Sequence, residues 1–169
     1  MNKKIRQVLG LLSAIIVYTF IHEGAHLLYA LSIGVFKQVN FLHLGMQIDI
    51  YAEKTASFQL GIFCLVGSIA TAISAYLLTS LAPKIKKLAS KPVKSCLYYI
   101  TIALLLIDPI YLSLLYPYFG GGDMNGISLI LSEVGARILY GIILLINIAV
   151  FVKMVLPKYK QAFLNMREE

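Results

Sequence analysis

Apolar residues in this chain come in long unbroken runs instead of alternating with polar ones. Four runs stand out, at 8–33, 58–81, 96–116 and 127–152. Each reaches the roughly 20 residues that a helix needs to cross about 30 Å of hydrocarbon. The pattern therefore predicts four transmembrane helices, with short connections and no internal repeat. The expected fold class is all-α integral membrane, a single domain over residues 1–169. One stretch breaks the pattern. In VFKQVNFLHLGMQIDIYAEK, between the first two runs, Val39 and Phe41 alternate with polar neighbours, and so do Met46, Ile48 and Ile50. A period of two predicts two short strands, a β-hairpin-like segment with His43 on a strand and Gly45 supplying the turn.

Composition agrees with the runs. The chain is 59% hydrophobic and 14% charged, whereas soluble domains average about half apolar and about a quarter charged. The net charge of +7 does not point to nucleic acid, because the cations sit in short groups at the ends of apolar runs. Lys3, Lys4 and Arg6 precede the first run. Lys84, Lys86, Lys87, Lys91 and Lys94 fill the second connection, and Lys153, Lys158, Lys160 and Arg167 follow the fourth. The first connection has only Lys37 and Lys54, and the third has no cation. Positive-inside bias then predicts a multi-pass protein of the cell membrane with both termini cytoplasmic. The opening MNKKIRQVLGLLSAIIVYTFI also has the shape of a secretory signal, with small residues at Ala30 and Ser32. Cleavage there would discard the histidines described next, so the run is read as retained. Cys64 and Cys96 have neither framework nor metal spacing and are read as packing residues.

Within the first run stands TFIHEGAHLLYA. His22 and His26, at i and i+4, project from one helix face and can grip one metal ion, with Glu23 placed to take a proton from bound water. Ionisable groups inside a membrane span are costly and mark function. Imidazole ligands with an open position suit Zn²⁺, one per chain, which in catalytic sites takes three protein ligands and a water. A third ligand should come from the same depth. Asp123, after Gly120, Gly121 and Gly122, lies on the predicted outer side, as do the histidines. It is read as a ligand or as the N-cap of the fourth helix. Asp108, deep in the third run beside Pro109, either orients a ligand histidine or occupies the backbone gap left by the proline. Asp108 and Asn125 are thus candidate supporting residues. Glu133 and Arg137 have the spacing of an ion pair, and Asn147 that of an interhelical hydrogen bond.

With HEGAH in a membrane span, a β-like segment from IGVFKQV, the glycine-bearing LGIFCLVGSIATAISAYLL and a later Asp-containing loop, the chain resembles the site-2 protease family. These are zinc metalloproteases that cut peptides within the membrane. The resemblance implies that His22, His26 and Asp123 bind zinc, that Glu23 is the catalytic acid/base, and that substrates are transmembrane or membrane-tethered proteins. Two features depart from the family pattern. No Asn lies three residues before Pro117, and Asp123 is followed by Met124, Asn125 and Gly126 instead of directly by glycine. Many bacterial relatives also open the site toward the cytoplasm, whereas the lysines here place it outside. The reading is an intramembrane zinc metalloendopeptidase, a hydrolase acting on peptide bonds in the lipid bilayer. The alternative is a non-catalytic membrane protein that binds zinc or a partner helix on the same scaffold.

Overall fold

The computed structural model describes residues 2–42 and 45–164. The expectations for His43 and for the orienting charge of Arg167 lie outside the described residues. Helix α1 spans Lys3–Ser32, capped by Asn2, whose Oδ1 accepts from the Lys4 N–H at 3.3 Å. It ends where Gly34 takes a positive φ of 72°, a conformation that costs glycine little. The chain then folds back as an antiparallel hairpin, β1 (Phe36–Leu42) against β2 (Gly45–Ile50). Gly45 is not the turn residue expected from the sequence. It pairs with Leu42 as the first residue of β2, and a Cβ on it would come within 3.6 Å of Thr19. The hairpin therefore lies back along α1, with Gly45 level with Thr19.

Helix α2 covers Ser57–Ile85 and α3 covers Lys91–Ile110, the latter capped by Ser90. A π-turn, Tyr111–Leu115, joins α3 to α4 (Tyr116–Phe119) in one continuous rod. A short helix, α5 (Gly122–Ile127), precedes α6 (Glu133–Val150). A second π-turn, Phe151–Val155, continues α6 into α7 (Leu156–Leu164). Four helical segments, Lys3–Ser32, Ser57–Ile85, Lys91–Phe119 and Glu133–Phe163, are long and apolar enough to cross a membrane. The fourth begins later than the predicted 127 because the Ser132 side chain accepts from Gly135 N–H at 3.1 Å and starts α6 there. That bond also gives the fourth helix its cap, a role Asp123 does not fill.

The buried residues form two apolar clusters. One gathers Ala14, Ala75, Ile100, Leu104, Leu105, Val155 and Tyr159; the other gathers Ala30, Ile48, Phe63, Leu112, Met124 and Ala136. Between them every long helix contributes polar groups: His22 and His26 from α1, Ser68 and Thr71 from α2, Asp108 from α3 and Asn147 from α6, all buried. Buried polar groups persist only when partnered, and these are. Pro109 has no N–H for the carbonyl of Leu105, four residues earlier. Asn147 Nδ2 takes that carbonyl at 2.7 Å while Tyr76 donates its hydroxyl to Asn147 Oδ1 at 2.6 Å. The gap left by Pro109 is thus filled by Asn147, not Asp108. Arg137 and Glu133 stand 3.9 Å apart, and Arg137 Nε also donates to the Ser113 carbonyl at 3.3 Å.

Candidate metal centre

His22 and His26 stand one turn apart on the face of α1 turned toward α2 and α5. Each imidazole is fixed through Nδ1. His26 Nδ1 lies 2.7 Å from the Phe63 carbonyl. A carbonyl only accepts, so Nδ1 carries the hydrogen and, in the neutral ring, Nε2 presents a lone pair. His22 Nδ1 lies 3.3 Å from Asp108 Oδ1 and 3.5 Å from the Tyr18 hydroxyl. Asp108 is itself held at both oxygens, by Tyr18 at 2.5 Å and by the Thr71 hydroxyl. Of the two roles open to Asp108, the structure supports orientation of a histidine.

The two Nε2 atoms point at Asp123, in the first turn of α5, which follows the φ > 0 glycines Gly120 and Gly121. His22 Nε2 is 3.0 Å from Asp123 Oδ2, and His26 Nε2 is 3.6 Å from Oδ1. Burial pushes the Asp123 carboxyl up, but hydrogen bonds and charge from His22 and His26 outweigh it and hold the group below the usual carboxylate range. Among the described residues these three can offer ligand atoms that all lie within 4.8 Å of one another.

Whether they fit a metal can be tested on the opposite wall. Gly67 of α2 faces both histidines: a Cβ there would stand 2.5 Å from His26 Nε2 and 2.7 Å from His22 Nε2. The wall is thus bare backbone where an ion would lie. Two pinned imidazole lone pairs, a carboxylate oxygen and a side wall without a side chain suit Zn²⁺, a metal of N and O donors. The residues present fit the group.

Beside the cluster runs a cleft of about 420 Å³, lined among others by Glu23, His26, Ile48, Cys64, Tyr111 and Asp123. Glu23 Oε2 accepts from the Ile48 N–H at 3.1 Å. That N–H therefore points away from β1, and β2 turns an edge toward the cleft. Asn125 is exposed, and its Oδ1 accepts from the Tyr116 hydroxyl at 2.9 Å; it braces α5 against α4 and not the cluster. Cys64, read as a packing residue, is buried and lies against Gly122 O at 3.7 Å.

Sequence reasoning missed Tyr18, Thr71, Gly67 and the Phe63 carbonyl. A signal existed for one of them, since Tyr18, His22 and His26 follow the i, i+4, i+8 stripe of a single helix face. Comparison with protein-family models, with curated proteins and with solved structures finds no match to this chain.

Proposed function

We propose that this chain is an intramembrane zinc metalloendopeptidase that hydrolyses peptide bonds of transmembrane or membrane-tethered protein substrates. The observation that carries the reading is the convergence of His22 Nε2, His26 Nε2 and the Asp123 carboxylate within 4.8 Å, with Glu23 in the adjoining cleft. The four apolar helices and the ring of exposed Leu, Ile, Val and Phe around them support a multi-pass protein surrounded by lipid. The lysine distribution supports the cell membrane with both termini cytoplasmic.

Zinc bound by His22, His26 and Asp123 would supply Lewis acidity, lowering the pKa of a water to about 7 and polarising a scissile carbonyl. The chain's own residues do the rest. Glu23 accepts the proton of the attacking water and passes it to the departing amine, the acid/base role a carboxylate at this position can fill. Asp108 and Phe63 keep the two imidazoles aimed. The edge of β2 turned toward the cleft, on which Met46 shares the orientation of Ile48 while the Ile48 N–H is held by Glu23, accepts an extended substrate as an added strand. Main-chain hydrogen bonds there hold a peptide largely independently of its side chains.

Glu23→Gln tests the reading. It keeps the shape and the metal ligands but removes the proton acceptor, so cleavage of a model transmembrane substrate should fall about 10²–10⁴-fold. Zinc should remain near one per chain by metal analysis. Unchanged cleavage by Glu23→Gln would sink the protease mechanism. Stoichiometric zinc with no cleavage by the wild-type chain would point to the non-catalytic alternative.

A further inference from the structure

The hydrogen bond from Ile48 to Glu23 places two demands on one donor. Opposed residues of an antiparallel pair alternate between those that exchange main-chain bonds and those whose N–H and carbonyl point outward. Ile48 faces Val39 and Met46 faces Phe41, and the Ile48 N–H leaves the ladder for Glu23 Oε2, so both pairs are of the outward kind. At the end of β2 the Tyr51 N–H turns inward to the Val35 carbonyl at 2.9 Å, which leaves Ile50 outward as well. Met46, Ile48 and Ile50 thus form the outer edge of β2, and all three line the cleft together with Glu23 and Asp123. Among the described residues the sheet has two strands, and no third strand covers this edge.

A strand added along that edge pairs through these same main-chain groups, and the central donor among them is the Ile48 N–H. At rest that donor is held by the carboxylate that the proposed reaction needs as its proton acceptor. A hydrogen bond to an ionised acceptor is roughly twice as strong as one to a neutral carbonyl. A single substrate carbonyl therefore does not displace Glu23. A segment that also pairs at Met46 and Ile50 gains main-chain bonds on either side, and these tip the exchange. The Ile48 N–H is satisfied before and after, so the exchange strands no buried donor.

We propose that the Ile48 N–H is a point of exchange: Glu23 holds it at rest, and a substrate drawn out along β2 takes it and frees the carboxylate to accept a proton. The inference rests on the protease reading and adds its substrate class. The site acts on backbone that is extended over the span from Met46 to Ile50. Helical segments, whose main-chain groups are already paired internally, leave Glu23 tied and stay uncut.

Two measurements test it. The first is site-resolved amide hydrogen exchange of the full chain in detergent micelles, which needs neither cleavage nor a change at position 48. The Ile48 amide should exchange slowly in the wild type, fast in Glu23→Ala, and slowly again in Glu23→Ala when a leucine pentapeptide is added. An Ile48 amide that stays slow in Glu23→Ala, or stays fast at every peptide concentration, would overturn the proposal. The second is kcat against peptide length, from a dipeptide to an octapeptide, with the zinc-loaded chain. In the wild type kcat, and not KM alone, should rise roughly 10²-fold once the peptide spans β2, the lower end of what a general base contributes. Ile48→Pro removes the N–H at an outward edge position, where proline is tolerated. It should raise kcat on the shortest peptides toward that on the longest, whereas Ile48→Ala keeps the N–H and should keep the step. A wild-type kcat independent of length, or a uniform fall in Ile48→Pro, would mean that the bond orients Glu23 instead of occupying it, and the proposal would fail. Exchange as expected with no peptide cleaved would leave the exchange at Ile48 standing and remove the protease reading.

Discussion

A methyl group at position 67 would project toward the Nε2 atoms of His26 and His22, 2.5 Å from one and 2.7 Å from the other. Neither imidazole can withdraw without breaking its Nδ1 contact to Asp108 or Phe63. Gly67→Ala should otherwise favour α2, since alanine in a helix interior is preferred over glycine by about 1 kcal/mol. The expected outcome is zinc affinity lower by more than the roughly 10–100-fold that loss of a supporting hydrogen bond costs, with thermal stability lowered as well, because displacing a pinned imidazole costs about 1–3 kcal/mol and outweighs the gain in helix propensity. Zinc titration and thermal unfolding of the purified variant, side by side, check it. The same titration separates the two aspartates. Asp123→Ala removes a donor and should lose zinc outright or nearly so. Asp108→Asn keeps the shape but weakens the hold on His22, and should cost about 10–100-fold. If Asp123→Ala binds zinc normally while Asp108→Asn does not, their roles must be exchanged. His22, Glu23 and His26 were legible because a helix brings i and i+4 together without help from the rest of the chain. Asp123 was legible through its expected depth, the three glycines before it and the family resemblance. Gly67 was not, because α2 holds several small residues, and only packing against α1 decides which of them faces the histidines.

At the scale of elements, Pro109 and Asn147 form a unit split between two helices. The proline removes the N–H that would bond Leu105 O, and the asparagine supplies one in its place. Asn147→Leu should thus leave a buried carbonyl unpaired, at a cost of about 1–3 kcal/mol. With Pro109→Ala in the background, residue 109 regains its N–H and the cost should shrink. A double-mutant cycle measured by chemical unfolding in detergent should show this coupling, and strict additivity would count against it. Sequence reasoning expected an interhelical bond from Asn147 but not its partner, because the carbonyl involved belongs to a leucine and has no side-chain signature. Element boundaries show a similar limit. The apolar run from 127 hides the break before α6, although Ser132 followed by Glu133 is a helix-start signal that could have placed it. The hairpin was legible from its alternation; its register was not, since Gly45 pairs with Leu42 as part of β2.

Over the whole molecule, four helices surround a polar layer sandwiched between two apolar clusters, while large hydrophobics such as Phe20, Leu28, Ile73 and Leu145 are exposed. That distribution inverts the soluble pattern, in which contiguous exposed apolar patches seldom exceed a few hundred Å². It makes sense when the outer solvent is lipid. On the positive-inside orientation proposed above, the end bearing Lys3, Arg6 and Lys91 would face the cytoplasm, and the end bearing the hairpin, Asp123 and the mouth of the cleft would face out. Lys54, in the short 3₁₀ turn after the hairpin, and Ser90, the cap of α3, sit at opposite ends, and both are exposed. Single cysteines at these positions, in a chain carrying Cys64→Ala and Cys96→Ala, differ in sidedness and not in burial. An impermeant thiol reagent applied to intact cells should label Lys54→Cys and leave Ser90→Cys unlabelled until the cells are lysed. Because both positions are open to solvent in the fold, equal labelling of intact cells would mean that no bilayer separates them. Labelling of Ser90→Cys alone would keep the bilayer but turn the cleft toward the cytoplasm, and substrates would then have to present their peptide bond from that side.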